Sequence, residues 1–423
     1  MLTVQENETL TRVGPGTPMG ELMRRYWMPA LLSEEIAEPD CPPVRVKLLG
    51  EQLVAFRDTQ GRVGIFQELC THRGASLWFG RNEESGLRCV FHGWKYDVDG
   101  NCLDMMNEPD AESFRKKIRQ PNYPAVEFGG IVWTYMGPEE DRPPLPKFEW
   151  TQVPEAHRHV NKTWEECNWL QGLEGGVDTS HAPIMHRKLR PDTPHPGVDL
   201  DSVFARGKAP RLEVDVTDYG YCYWGVRELE DESMYVRGYH FIMPFTQVRP
   251  GTDFGGNKIV AGHYWVPMDD HNCMVYNWEY SASGVPMEDP EMVAKQLGTG
   301  EGELDADFRK VRNKDNSYQI DRDVQRTETF TGIFGVNTQD HAVQESMGVI
   351  YDRTKEHLGP ADRAVIVARK LLQDGIRTVA DGGKPLGSGE SYYHVRAADA
   401  VLSKGTDWRE ALRSEMYPEA IER

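Results

Sequence analysis

Cys70-Thr71-His72-Arg73-Gly74-Ala75 and, with sixteen residues between His72 and Cys89, Cys89-Val90-Phe91-His92-Gly93-Trp94 each offer one thiolate and one imidazole within a single tight turn. Gly74 and Gly93 stand beside the ligand pairs, where the backbone must bend closely around a bulky group. Short β-rich runs at 44–48, 52–56, 62–66 and 130–135 surround them, separated by turn chemistry such as Asp58-Thr59-Gln60-Gly61. This texture predicts a small all-β domain over residues 38–155, with the Pro-rich stretch 142–146 as its exit. Two groups suit two cysteines and two histidines. One is a tetrahedral structural zinc. The other is a [2Fe–2S] cluster in which histidines replace two cysteines on one iron. The alternation C-x-H-x16-C-x2-H differs from common zinc fingers, where both cysteines come first.

On either side of this core the pattern changes. Residues 1–37 read as helical: Thr17-Pro18 is a suitable N-cap and first-turn pair, Leu22, Met23, Tyr26 and Trp27 form an apolar stripe, and Pro29 ends it. This segment is expected to pack with the C-terminal domain, 156–423. That domain reads as α+β: helical at 160–180 and 340–373, β-like over 211–282, with an acidic, Gly-rich loop at 298–307. The expected fold is therefore an all-β domain followed by a central antiparallel sheet flanked by helices.

A second constellation lies at Asp178-x2-His181-x4-His186. On a helix, Asp178 and His181 would share a face, whereas His186 would come from a turn after Pro183. Gly172, Gly175 and Gly176 precede it and imply close packing against a neighbour. Two histidines and a carboxylate suit Fe(II) and leave positions open.

Composition narrows the classes. The 423 residues carry 48 basic and 67 acidic side chains, a formal charge of −19, which disfavours nucleic acid. No run approaches the roughly 18 apolar residues of a membrane span, and the N-terminus lacks a signal-peptide pattern, so the expected location is cytoplasmic. Seven sparse cysteines argue against a disulfide framework.

The two Cys/His loops resemble the cluster loops of Rieske domains, and the Asp178–His186 segment resembles the mononuclear iron site of Rieske non-haem iron oxygenases. Asn168-Trp169-Leu170-Gln171, Glu174-Gly175 and Val13-Gly14-Pro15-Gly16-Thr17-Pro18-Met19-Gly20 are similar to the phthalate dioxygenase branch, which includes aromatic O-demethylases. The resemblance implies that Cys70 and Cys89 hold one iron of a [2Fe–2S] cluster and His72 and His92 the other. It implies that His181 and His186 bind a mononuclear Fe(II), and that Asp178 is the carboxylate linking this site to a cluster histidine of the next subunit. The third iron ligand is then a distant carboxylate. Asp340, within Gln339-Asp340, is the choice, with Glu345 and Asp352 as fallbacks.

The implied activity is that of an oxygenase component using O₂ as co-substrate. Electrons would come from a separate reductase, carrying flavin and a ferredoxin-type cluster, or from a ferredoxin. The implied assembly is a homotrimer or a multiple of one. The expected reaction is hydroxylation or O-demethylation of an aromatic acid. Ring cis-dihydroxylation of phthalate-like carboxylates and diaryl ether cleavage are alternatives. Arg206, Arg237 and Arg249 are candidate carboxylate anchors, with Arg227 and Lys258 behind them. A zinc-stabilised, non-catalytic binding protein is the rival of a different class.

Overall fold

The computed structural model describes residues 1–207, 209–251, 257–287, 290–389 and 394–418. The chain divides into two compact units, Val13–Leu145 and Met1–Arg12 together with Pro146–Arg423.

The Val13–Leu145 unit is built from three small antiparallel sheets. One runs Trp27–Leu32, Ile131–Tyr135, Ala125–Phe128; a second runs Val44–Leu48, Glu51–Arg57, Val63–Gln67, Asn122–Tyr123. The third, Arg81–Glu83, Gly86–Arg88, Trp94–Tyr96, Cys102–Met105, carries the Cys89 loop between its middle strands. Phe56, Phe66, Leu77, Leu87, Trp94 and Tyr96 form the core behind the two cysteines.

The helical reading of residues 1–37 is corrected here. Val4–Thr11 and Pro18–Met23 are helices, the latter capped by Thr17 as expected, but Trp27–Leu32 is a strand buried along its whole length. Pro29 lies inside it, at a register shift that spares the ladder its missing N–H. The strand draws residues 13–37 into the β unit, leaving only Met1–Arg12 with the C-terminal unit. At the other boundary, Trp150 stacks on Trp278 (5.4 Å between centroids) and donates to the Tyr264 hydroxyl at 2.9 Å. Residues 146–155 thus belong to the second unit rather than to the first.

The second unit holds an eight-stranded antiparallel sheet. Its order is Arg158–Glu165, Cys273–Ser281, Ile259–Pro267, Thr246–Pro250, Met234–Ile242, Gly220–Glu228, Arg211–Val216, with Ala398–Leu402 also pairing on Met234–Ile242. The central strands are buried on both faces, so their sequences read as aromatic runs rather than as alternation. Helices Trp169–Val177, Val336–Ser346 and Arg363–Ala380 accompany the sheet. Two helical readings are corrected: Arg158–Glu165 is an edge strand, and the 340–373 pattern is two helices parted by a turn region containing Gly348, Gly359 and Pro360. Among the described residues, no helix is long and apolar enough to cross a membrane.

Candidate active site

The two Cys/His loops fold alike. Gly74 N–H donates to the Cys70 carbonyl at 2.8 Å and Gly93 N–H to the Cys89 carbonyl at 2.9 Å. Both glycines have positive φ, +73° and +76°, which a side chain would strain. The turns bury Cys70 and Cys89 at 2% exposure and leave His72 and His92 nearer the surface. The imidazoles lie 4.5 Å apart between centroids, and His72 stacks on Trp94 at 4.2 Å. The Tyr96 hydroxyl sits 3.2 Å from Cys70 Sγ, and the thiols are free. A hydrogen bond shared between the two thiols pushes Cys70 up and brings Cys89 down to about 6. The fit to a two-iron cluster is good: paired thiols inside, paired imidazoles outside, and a buried His92 Nδ1 with no hydrogen-bond partner.

The second site is built at the end of helix Trp169–Val177. Asn168 caps its start and donates to the carbonyls of Thr11 and Asp270 at 2.9 and 2.8 Å. The glycines pack as expected: a Cβ at Gly172 or Gly176 would run into the Trp265 indole, and one at Gly175 into the Gln344 amide. The helix stops at Val177, so Asp178 and His181 do not share a helix face, contrary to the sequence reading. A tight turn brings them together instead. Asp178 Oδ1 accepts from Ser180 N–H at 2.7 Å, and Oδ2 accepts from His181 N–H at 3.2 Å. Pro183 then opens a short helix, Ala182–Met185, whose C-cap is His186.

Asp340 arrives from helix Val336–Ser346. Its Oδ1 lies 3.5 Å from His181 Nε2 and 3.3 Å from His186 Nε2, and one ligand atom from each of the three residues falls within 4.8 Å of the others. This donor set suits a mononuclear iron with open positions. Burial disfavours a charged Asp340, but attraction to His186 and hydrogen bonds from both histidines hold it well below the usual carboxylate range. Burial likewise opposes protonation of His181, yet hydrogen bonds to Asp178 and Asp340 raise it to about 10. The fallbacks are engaged elsewhere: Glu345 accepts from Tyr318 and Glu166, and Asp352 from Thr354.

Each imidazole has an orienting partner. His181 Nδ1 faces Asp178 Oδ2 at 3.1 Å, and His186 Nδ1 faces Gln339 Oε1 at 2.9 Å. Gln339 Nε2 donates to the Ile333 carbonyl at 3.0 Å, which fixes its Oε1 as the acceptor. Each ring therefore has a proton on Nδ1 to donate to its partner, and its Nε2 is the nitrogen turned toward Asp340. The sequence reading quoted Gln339 only as Asp340's neighbour; its role has no local signal.

His181, His186 and Asp340 line a cavity of about 710 Å³, which also takes in Phe204, Tyr239, Trp265, Arg237 and Arg249. Of the candidate anchors, Arg206 is exposed at the end of helix Val203–Arg206 and does not line it. Arg227 is buried and donates to the Thr179 carbonyl at 2.8 Å; Lys258 pairs with Glu415.

Residues 26–121 match the Rieske [2Fe-2S] domain and residues 134–422 the LigXa C-terminal domain like family. The chain belongs to the Rieske non-haem iron oxygenases. It is 39% identical to the phthalate 4,5-dioxygenase oxygenase subunit of Pseudomonas putida, over 97% of this chain and 94% of that one. It is 36% identical to the 3-chlorobenzoate-3,4-dioxygenase oxygenase subunit of Comamonas testosteroni (97% and 98%). It is 31% identical to the 5,5'-dehydrodivanillate O-demethylase oxygenase subunit of Sphingobium sp. (100% and 91%). The fold is shared with dicamba monooxygenase, at a TM-score of 0.58 and 17% identity over 85% of this chain and 98% of that one. This oxygenase accordingly uses a Rieske [2Fe–2S] cluster, a mononuclear iron and O₂, and the zinc alternative falls away.

Proposed function

We propose that this oxygenase component hydroxylates or O-demethylates an aromatic carboxylate held by Arg237 and Arg249 beside the iron. The observation that carries the reading is the cavity itself, in which the His181–His186–Asp340 group and two guanidiniums share one wall system of aromatic side chains. A guanidinium matches a carboxylate bidentately, and a mostly apolar cavity with a few polar anchors suits a ring. Arg237 Nε is buried without a hydrogen-bond partner, so a donor is left over for a ligand. The names of the relatives favour an aromatic acid, and phthalate ring dihydroxylation is the second reading, favoured by the 39% identical relative.

In this reading Cys70, Cys89, His72 and His92 hold the cluster, and His181, His186 and Asp340 hold the iron. The bound iron supplies O₂ activation at its open positions. Asp178 and Gln339 keep both imidazoles in the tautomer that presents Nε2. Arg237 and Arg249 fix the carboxylate end of the substrate, while Phe204 and Trp265 exclude water from its ring. Asp178 would also accept a hydrogen bond from a cluster histidine of a neighbouring subunit in a homotrimer. Exposed apolar side chains support such an assembly: Leu69, Val90, Phe91 and Met106 near the cluster loops, and Ile184, Val343 and Met347 on the elements that carry the iron ligands. Electrons would come from a separate reductase or ferredoxin. The free thiols of the other five cysteines suit a cytoplasmic location.

The test is turnover. The iron-loaded protein, supplied with a flavin and ferredoxin-type reductase, is incubated with phthalate, 3-chlorobenzoate and methoxylated benzoates, and product is read together with O₂ uptake. Conversion of an aromatic acid but not of its amide supports the reading. Equal conversion of acid and amide would refute the arginine anchors.

A further inference from the structure

Behind Arg249 runs a chain of buried and partly buried side chains whose hydrogen bonds all point one way. Thr299 Oγ1 donates to the Ala294 carbonyl at 3.1 Å and accepts from Asn161 Nδ2 at 2.9 Å. Asn161 Oδ1 accepts from Asn277 Nδ2 at 2.8 Å. That fixes Asn277 with its oxygen toward His263, and the same oxygen also accepts from Asn337 Nδ2 at 2.7 Å. An oxygen in that place can only accept, so His263 Nδ1, 2.8 Å away, must carry the imidazole proton. His263 Nε2 is then a lone pair, and Arg249 Nε donates to it at 3.2 Å.

The consequence falls on the guanidinium. With the Nε corner held, Arg249's two terminal nitrogens have weak partners: the Pro250 carbonyl at 3.5 Å, and Glu279 Oε1 at 3.6 Å, beyond hydrogen-bonding reach. Burial pushes the Glu279 carboxyl up, against its attraction to Arg249. Arg237 donates to the same Pro250 carbonyl at 2.9 Å, which brings a second guanidinium to this corner of the cavity. A protonated His263 would instead present an N–H to Arg249 Nε and push the guanidinium away; burial and the adjacent cation oppose that state.

We propose that His263, locked as the Nδ1–H tautomer by Asn277, is a positioning residue that holds Arg249 with its terminal nitrogens free for a carboxylate, and so sets the preference for acids over neutral aromatics. This rests on the reading of Arg249 as a carboxylate anchor. His263 also lines the cavity, but the role assigned to it is exerted through the arginine.

The experiment measures binding of phthalate and of phthalamide, its uncharged analogue, to the iron-loaded oxygenase by calorimetry in the absence of reductase. His263→Phe is expected to weaken phthalate ten- to a hundredfold and phthalamide less than threefold. His263→Gln, which keeps an acceptor for Arg249 and a donor for Asn277, should recover most of the loss. Asn277→Leu removes the lock without touching Arg249 and should shift phthalate in the same direction; it carries the test where His263→Phe fails to fold. Equal weakening of acid and amide, or no change in either, overturns the proposal. Arg249→Met separates the two levels. If wild type does not bind phthalate, or if Arg249→Met binds it unchanged, the anchor reading fails and this inference falls with it. If Arg249→Met loses phthalate but the His263 variants do not, only this inference fails.

Discussion

Replacing Gln339 with leucine would test how the proposed iron ligands are held. Gln339 is 1% exposed, and His186 beside it is 5% exposed, so no water replaces a lost partner. Leucine conserves most of the volume but leaves His186 Nδ1–H and the Ile333 carbonyl without partners. An unsatisfied buried group costs about 1–3 kcal/mol. Much of that cost falls on the orientation of the ring, because the Nδ1–H bond fixes which nitrogen faces Asp340. Loss of such an orienting partner typically lowers metal affinity about 10–100-fold, or about 1.4–2.8 kcal/mol at 1.4 kcal/mol per tenfold. The assay is titration of the iron-depleted mononuclear site with Fe(II), with the visible absorption of the cluster as an internal control. Gln339→Leu should need 10–100-fold more Fe(II), keep its cluster absorption, and regain turnover at saturating iron. Unchanged Fe(II) affinity would refute the tautomer argument; loss of cluster absorption would show that the damage is not local.

Three further outcomes follow from the structure. Asp178→Asn keeps its shape but cannot accept at both oxygens, so coupled turnover should collapse while cluster absorption stays; loss of the cluster in that variant would count against the bridging role. Gly176→Ala drives a methyl into the Trp265 ring and should lower the unfolding midpoint by overpacking worth about 1–3 kcal/mol, whereas Gly175→Ala meets only the mobile end of Gln344 and should cost less. Burial lowers Lys310 to about 8, against nearby carboxylates that pull the other way. Its folded value lies below the unfolded one of about 10.4, so the unfolded chain binds more protons between pH 8 and 10.4, and stability from this group rises with pH across that window. Lys310→Met should therefore change the pH slope: any gain in its unfolding midpoint over wild type at pH 8 narrows toward pH 10, and a constant difference would contradict the shift.

The juxtaposition of the side-chain pairs was legible because each is local. Cys70 with His72, Cys89 with His92, and His181 with His186 are set by turns of a few residues, and Gly74 and Gly93 mark the bends those turns need. The packing glycines could be read as tight contacts, though not against Trp265, which lies some ninety positions away in sequence. Helix limits were read less well. The stripe from Leu22 to Trp27 fits a helical period, but the helix ends at Met23 and strand pairing with Ile131–Tyr135 begins at Trp27. The Asp178–His181 contact was expected for the wrong reason, since a side-chain-capped turn gives the same proximity as a helical face.

The all-β and α+β division and the family were thus readable from the sequence, because short-range geometry and composition carry those; the proposed donor sets rest on the same local pairings. The tertiary structure decided what long-range contact alone can supply: that Asp340 rather than Glu345 or Asp352 meets the histidines, that Gln339 orients His186, and that Arg237 and Arg249 rather than Arg206 reach the cavity. Side chains from strands and helices tens to hundreds of residues apart meet there only because the eight-stranded sheet aligns them. No periodicity within any one segment encodes such a meeting.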